Sequence, residues 1–278
     1  MEKSLREEIR SKYEGAQFPS PAIEPLWYGR RPDTLVKGKQ LIIDKDTQQQ
    51  YGVCSDGYGL VEHEEVIDIA EKASLKFPEY GKPEIAVKLL KYGGRLQVTI
   101  LYPEVEFEVR ANDTVNPRIE IFNSYDMGWK YGGRFGAFRL VCSNGMTVGK
   151  IFSKFAKRHL LSLDTSELAK SIEEGMTLFS DQTKLWTDWA EKRMLNTQYE
   201  QLWTSLPFSP KEREYIETLS ETQTKLILGN EKEKGKEVTF WDAFSVVTQY
   251  VTHEVKSEVR QIEILPEITK AFEKIWNN

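Results

Sequence analysis

The chain has 278 residues, of which 40% are hydrophobic and 12% aromatic, so it holds enough apolar material for a sizeable core, and global disorder is excluded. Its formal net charge of -5 argues against a protein that binds nucleic acid through overall basicity, and it makes the distribution of charge more informative than the sum. The sequence has no apolar run long enough to span a membrane and no apolar region at its charged N-terminus, so we expect a cytoplasmic protein without a membrane partner.

Cysteine and histidine give no sign of a metal or redox site. Cys54 and Cys142 stand far apart and have no further Cys or His at ligand spacing, so buried free thiols are expected. The histidines are scattered, match no metal-binding or nucleophilic pattern and are expected to be structural: His63, His159 and His253. The sequence therefore predicts no metal, no cofactor and no catalytic residue.

The N-terminal part predicts an arm followed by short strands. Residues 2–14 predict a charged helix, and the prolines between Phe18 and Pro32 impose an extended path, so residues 1–38 are expected to form an extended arm. From Lys39, apolar runs separated by turn residues predict a three-stranded meander. Its strands are expected at residues 41–43, 51–54 and 58–61.

The middle of the chain predicts a helix and then a mainly antiparallel sheet. Apolar residues from Val66 to Phe77 recur every three or four positions, which predicts a helix before Pro78. Gly93-Gly94 is the signal for a two-residue hairpin. Alternating apolar residues predict strands at 85–89, 96–100, 105–109, 118–122 and 138–141.

After Gly149 the apolar period becomes helical, and a long helix capped by Thr165 or Ser166 is expected, with Trp186 and Trp189 in the core. Its apolar face comprises Leu168, Ile172, Met176, Phe179, Trp186 and Ala190. A second helical face is expected near the C-terminus, at Phe240, Phe244, Val247 and Val251. The predicted fold class is α+β, with a core domain over residues 39–228 and a C-terminal helical extension over residues 229–278 packed on it.

The segment from Met127 to Leu163 contains no Asp or Glu and has the strongest functional pattern. Its basic residues are Lys130, Arg134, Arg139, Lys150, Lys154, Lys157 and Arg158. Glycines and aromatic residues alternate with them, and the candidates for base stacking are Trp129, Tyr131 and Phe135. Cations bind phosphates, flat rings stack on bases and glycines let a backbone approach a ligand, so the mixture is typical of a surface for single-stranded nucleic acid.

The arrangement of these charges leaves an alternative open. The last four basic residues fall at i, i+4, i+7 and i+8 from Lys150, so on a helix they would form one stripe. A solvated basic face over core aromatics would give a similar pattern, because charge runs commonly lie on solvated faces.

Four stretches of the sequence carry a family resemblance: Tyr51–Tyr58, Asn123–Asp126, Arg139–Asn144 and Thr239–Tyr250. In this order they resemble the phage/plasmid-like proteins catalogued as domain of unknown function 932, from about Gln50 to the C-terminus. Tyr125 and Gly145 depart from the family pattern, in which His and Thr are usual. The resemblance implies a phage, plasmid or other mobile element and hence a bacterial host cytoplasm. The order of strand meander, helix and basic hairpin is also similar to single-strand annealing proteins of the Rad fifty-two superfamily.

These observations predict a non-enzymatic protein of a mobile element that binds single-stranded DNA in preference to RNA. It would act in recombination by annealing complementary strands, as a homo-oligomeric ring or filament. The alternative is an interaction protein that binds a host or phage protein through the same basic face. An enzyme centred on Asp126, near Asn123 and Asn144, would lack a second acid for acid/base catalysis.

Overall fold

A computed structural model of the chain describes residues 4–29, 34–139, 144–151, 165–228 and 238–278. These residues form antiparallel sheets, mainly in the first half of the chain, and helices, mostly in the second half, which confirms the predicted α+β class. Within these ranges, no helix combines the length and the apolar character that a membrane crossing needs.

The N-terminal arm begins with the predicted charged helix, α1 (Leu5–Lys12). Ser4 caps it, because its hydroxyl accepts a hydrogen bond from the Glu7 amide while the Glu7 carboxylate accepts one from the Ser4 amide. Arg10 and Arg6 then donate to the buried Glu64 carboxylate, over 2.8 and 3.2 Å, so the helix is tied to the rest of the fold.

The first sheet is three-stranded, in the order β1 (Pro21–Tyr28), β2 (Thr34–Asp44) and β3 (Gln50–Ser55). The strands predicted at 41–43 and 51–54 are confirmed. The strand predicted at 58–61 is wrong, because those residues have no strand pairing and the third place in the sheet belongs to β1. The prolines of β1 are tolerated because β1 is an edge strand, where a missing N–H breaks no ladder on its free side.

Helix α2 (His63–Ser74) follows and confirms the predicted amphipathic helix. The hairpin between β4 (Glu84–Leu90) and β5 (Arg95–Leu101) is longer than predicted. Leu90 pairs with Arg95, so the loop has four residues rather than two, and Lys91, Tyr92 and Gly93 all have positive φ. The expectation of a two-residue turn was wrong because the left-handed backbone begins before the two glycines.

The second sheet has the order β4-β5-β7-β8-β9, with β6 paired to β7. The new strands are β6 (Phe107–Arg110), β7 (Asp113–Ser124), β8 (Gly132–Arg139) and β9 (Asn144–Ile151). They cover most of the strands predicted in this region. Lys150 lies in β9, so the expected helical stripe does not begin there. Lys154, Lys157 and Arg158 lie outside the described residues, as do Cys142 and His159.

The second half of the described chain is helical: α3 (Thr165–Glu191), α4 (Asn196–Ser205), α5 (Pro210–Leu228), α6 (Phe240–His253) and α7 (Glu258–Trp276). The predicted apolar faces of α3 and α6 are buried almost throughout. Trp186 and Trp189 are fully buried, with ring centroids 6.3 and 5.3 Å from that of Phe244, which confirms their place in the core.

The chain divides into two compact units. The first comprises Met1–Pro103, Arg118–Arg134 and Phe152–Glu174, and the second comprises Glu104–Pro117, Phe135–Ile151 and Gly175–Asn278. A buried cluster of the first unit joins Ile42, the free thiol of Cys54 and Tyr125. The second unit is centred on the aromatic residues of α3, α6 and α7. The domain boundaries expected after residues 38 and 228 stay a prediction.

Candidate nucleic-acid interface

The predicted basic segment begins in a corner loop between β7 and β8. Asp126 fixes this corner by accepting hydrogen bonds from the Arg95 Nε at 2.7 Å and from the Gly128 amide at 2.9 Å. The Arg95 guanidinium crosses so close to the loop that a Cβ on residue 128 would lie 1.9 Å from its Nη2. A side chain at residue 128 would therefore have to displace the Arg95 guanidinium, and Gly128 leaves room for it. Asp126, whose role the sequence left open, is one half of an ion pair at the corner.

Trp129 and Lys130 are the predicted site residues that reach the surface at this corner. The Trp129 ring is half-buried, with the Arg95 guanidinium 4.9 Å from its centroid and the Phe122 ring in an edge contact at 5.3 Å. The backbone of Trp129 is held by Ser124, whose hydroxyl donates to the Trp129 carbonyl at 2.8 Å. Lys130 is exposed. The corner therefore presents one exposed cation, Lys130, beside an indole that Arg95 partly covers.

Arg134 points into the first unit rather than to solvent. Its side chain donates through Nε to the buried carboxylate of Glu120, and its guanidinium lies 5.0 Å from the Phe122 ring centroid. Glu120 also accepts hydrogen bonds at 2.7 Å from Arg118 and Gln97. Burial by itself would raise the pKa of Glu120, but the charges of Arg134 and Arg118 outweigh it and hold the pKa below its ordinary value.

Arg139 makes the equivalent arrangement in the second unit. It binds Asp113 with both sides of its guanidinium, through Nε to Oδ1 at 2.6 Å and through Nη2 to Oδ2. The Trp241 indole donates to Asp113 Oδ2 at 2.9 Å and its ring centroid lies 5.3 Å from the Arg139 guanidinium. Burial would raise the pKa of Asp113, but hydrogen bonds from Arg139 and Trp241 lower it below its ordinary value.

These two arginines are therefore removed from the predicted phosphate-contacting set. Each is only 4% exposed and is already bound to a carboxylate. A phosphate would have to displace a buried partner, and breaking such a pair costs about 3–5 kcal/mol because an uncompensated charge is left behind. Arg134 and Arg139 hold strands together instead.

Two of the predicted stacking residues are also interior. Tyr131 is 5% exposed and Phe135 is 2% exposed, and burial raises the pKa of the Tyr131 hydroxyl. Phe135 packs on the backbone of α3 at Gly175, where an added Cβ would lie 1.8 Å from its ring. Neither ring presents a face on which a base could stack.

Of the other predicted residues, Lys150 lies in β9, and the remaining three basic residues lie outside the described ranges.

A buried polar cluster was not predicted as a unit. His63 is fully buried, its ring stacks on Tyr125 with a 4.0 Å centroid distance, and its backbone amide donates to the Tyr125 hydroxyl at 2.8 Å. One ring nitrogen bonds the Gly93 carbonyl at 2.9 Å and the other bonds the Asn123 amide at 3.1 Å. Both nitrogens are thus engaged within the protein, so His63 supports the fold. The role of Asn123 did not follow from the sequence, and in the structure its side-chain amide positions the His63 ring.

The first unit also contains a cleft of about 790 Å³ between the N-terminal arm, the β2–β3 turn and the β4–β5 hairpin. Its polar lining includes Lys12, Tyr13 and Asp44. Lys12 and Tyr13 both bind Glu71 at 2.7 Å, and Asp44 accepts hydrogen bonds from Thr47 and the Ser20 amide. Each of these groups already has a partner within the protein, so the cleft does not point to a particular ligand.

Comparison with known proteins gives a family. No curated protein and no solved structure matches the chain, so the topological likeness to annealing proteins gains no support. A family model described as Domain of unknown function (DUF932) matches residues 50–276, which is most of the chain and contains all four motifs identified in the sequence. The chain therefore belongs to the DUF932 family.

Proposed function

We propose that this protein binds single-stranded DNA through the basic segment and catalyses no reaction. The observation that carries the proposal is the distribution of charge. Seven positive charges and no negative one fall between Met127 and Leu163, in a chain whose net charge is -5. Internal carboxylates neutralise Arg134 and Arg139, which leaves five cations: Lys130, Lys150, Lys154, Lys157 and Arg158.

Five cations in a stretch without acidic residues support contact with a phosphate backbone, because each bound phosphate releases condensed counterions and this release favours binding. The corner loop adds a second element. Lys130 is exposed next to the half-buried Trp129, so a strand bound there would meet a cation and part of an indole ring. The finer proposal is that the protein anneals complementary strands as a homo-oligomer encoded by a mobile element.

Fluorescence anisotropy with a labelled 20-nucleotide oligonucleotide tests the proposal. Binding should be measurable at 50 mM salt and should weaken steeply by 200 mM salt, since phosphate contacts are salt-dependent. Absence of binding at low salt would overturn it. Annealing is measured with two complementary labelled strands in the same buffer. A defined protein that co-purifies with nucleic-acid-free material would instead favour a protein-binding role for the same face.

A further inference from the structure

The end of the β1–β2 hairpin has exposed aromatic residues that the basic segment does not account for. Trp27 pairs with Leu35, and Tyr28 pairs with Thr34, beyond the last regular pair at Pro25 and Gln40. Trp27 is 48% exposed, Tyr28 65% and Leu35 47%. By contrast, Ile42 at the base of the same hairpin is fully buried. We call residues 26–28 and 34–39 the ribbon, which is two-stranded except at Lys39, where β2 also pairs with Ser55 of β3.

Both faces of the ribbon are open. Residues directly opposite in an antiparallel pair share a face, and successive residues point to opposite faces, so Trp27 and Leu35 lie on one face and Tyr28 on the other. A two-stranded ribbon with no covering layer is marginally stable by itself. Exposed aromatic and aliphatic side chains on both faces are typical of a surface that a partner covers.

The ribbon is also irregular in a way that affects its lysines. Between the Pro25–Gln40 and Trp27–Leu35 pairs, β1 has one residue and β2 has four, so β2 bulges. Gly38 at this bulge has φ of 74°, a left-handed conformation suited to glycine. Lys37 and Lys39 flank it, and both are exposed. Neither has an ion pair with any residue in the described part of the chain.

The charge of the ribbon indicates which partner fits. β2 contains no acidic residue between Thr34 and Ile43, and the acid of β1, Glu24, lies at the level of Leu41, towards the base of the hairpin. Two exposed lysines that form no ion pair with a described residue, beside two exposed rings, match a phosphate backbone with unstacked bases. A protein partner would need an acidic surface to compensate the lysines, whereas every nucleotide carries its own negative charge.

We propose that the ribbon is the base-stacking platform for single-stranded DNA, with bases on Trp27 and Tyr28 and phosphates on Lys37 and Lys39. This inference rests on the proposed function but places the stacking contacts in another part of the first unit. The bound DNA strand would cross the free edge of β1, because the two rings lie on opposite faces of the ribbon and β1 is the outer β-strand of its sheet.

The test compares wild-type full-length protein with Trp27→Ala/Tyr28→Ala and Lys37→Ala/Lys39→Ala in anisotropy titrations with labelled oligo(dT) of 20 nucleotides. The aromatic double variant should bind at least about tenfold more weakly with its salt dependence little changed. The lysine double variant should flatten the slope of log affinity against log salt by about 1.4, since a single strand contributes about 0.7 for each phosphate contact. The matched controls are Tyr92→Ala, an exposed aromatic elsewhere, and Lys76→Ala/Lys270→Ala, and both should bind like wild type.

The outcomes separate this inference from the proposed function. If wild type binds and the ribbon variants bind equally well, the ribbon inference is wrong and the proposed function stands. If wild type does not bind, the proposed function fails. A duplex of the same length provides another test. If wild type binds the duplex as tightly as the single strand, and the aromatic double variant loses the same affinity for both, the rings do not stack on unpaired bases and the inference is wrong. Light scattering adds a further check, because a change in oligomeric state in the aromatic variant would assign the ribbon to contact between copies of the chain. Thermal melts should show all variants folded, since the altered side chains are exposed.

Discussion

Residues 127–139 and residues 27–39 have similar composition but opposite surroundings. Both are short and rich in aromatic, basic and glycine residues, and most of their described residues lie in strands, β8 in the first and β1 and β2 in the second. In the first, Arg134 and Arg139 are buried because β8 is an inner strand whose neighbour β7 supplies Glu120 and Asp113. In the second, Lys37 is exposed in the two-stranded part of the β1–β2 hairpin, and Lys39 is exposed opposite Ser55, at the last pair between β2 and β3. The comparison teaches that a basic, aromatic strand becomes part of the core when the next strand carries carboxylates and stays on the surface when it has no covering neighbour.

The largest expected effect on stability comes from breaking the buried ion pair between Glu120 of β7 and Arg134 of the inner strand β8. Glu120→Gln removes the negative charge that Arg134 and Arg118 share, so we expect the free energy of unfolding to fall by about 3–5 kcal/mol. Urea denaturation measures the loss. Glu84→Gln, which changes an exposed acid on β4, should shift stability by less than about 0.5 kcal/mol. Equal stability of the two variants would show that the buried pair is not a structural element.

The pH dependence of the free energy of unfolding tests the burial of neutral His63. Burial lowers the pKa of His63 to about 3, against about 6.5 in an unfolded chain. Between these values the unfolded state binds the extra proton, so the stability contributed by neutral His63 is complete above about pH 6.5 and is lost as the pH falls. From pH 7 to pH 5 the loss should be about 2 kcal/mol in urea denaturation. His63→Gln should remove this dependence, and an unchanged pH profile in the variant would contradict the assignment.

The two tryptophans should respond differently to truncation. Trp129→Ala removes a half-buried ring that packs on Phe122 and under Arg95, so it should lower the free energy of unfolding by about 1–2 kcal/mol. Trp27→Ala removes an exposed ring and should change it by less than about 0.5 kcal/mol. Urea denaturation of both variants checks the order. If Trp27→Ala proved the more destabilising, the ribbon would have a structural role in place of a binding one.

The smallest expected effect on stability comes from the basic cluster beyond β9. Lys154→Ala/Lys157→Ala/Arg158→Ala should leave the unfolding midpoint nearly unchanged and flatten the salt slope of DNA binding by about two, because three phosphate contacts are lost. Anisotropy at four salt concentrations gives the slope. Wild-type binding by this variant would assign the phosphate contacts elsewhere and contradict the role proposed for the segment.

The positions of most helices and strands follow from local patterns, whereas the pairing of side chains does not. The apolar face of α3 was predictable from the spacing of Leu168 and Ile172, because a helix places residues at i and i+4 together. The strand predicted at 58–61 does not form. Tyr58 and Leu60 are apolar, but they pack against the cluster of Ile42, Cys54 and Tyr125 as a loop. An apolar run predicts burial more directly than it predicts a strand.

The sequence by itself determined the α+β class, the family and the concentration of positive charge between Met127 and Leu163, since each depends on residue order alone. Only the tertiary structure decided which of those charges remain available. Arg134 is 14 residues from Glu120 and Arg139 is 26 residues from Asp113, and strand pairing brings each carboxylate to its arginine. A cation acts at a surface only where the fold supplies no counter-charge, because in a low-dielectric interior an available carboxylate binds it first.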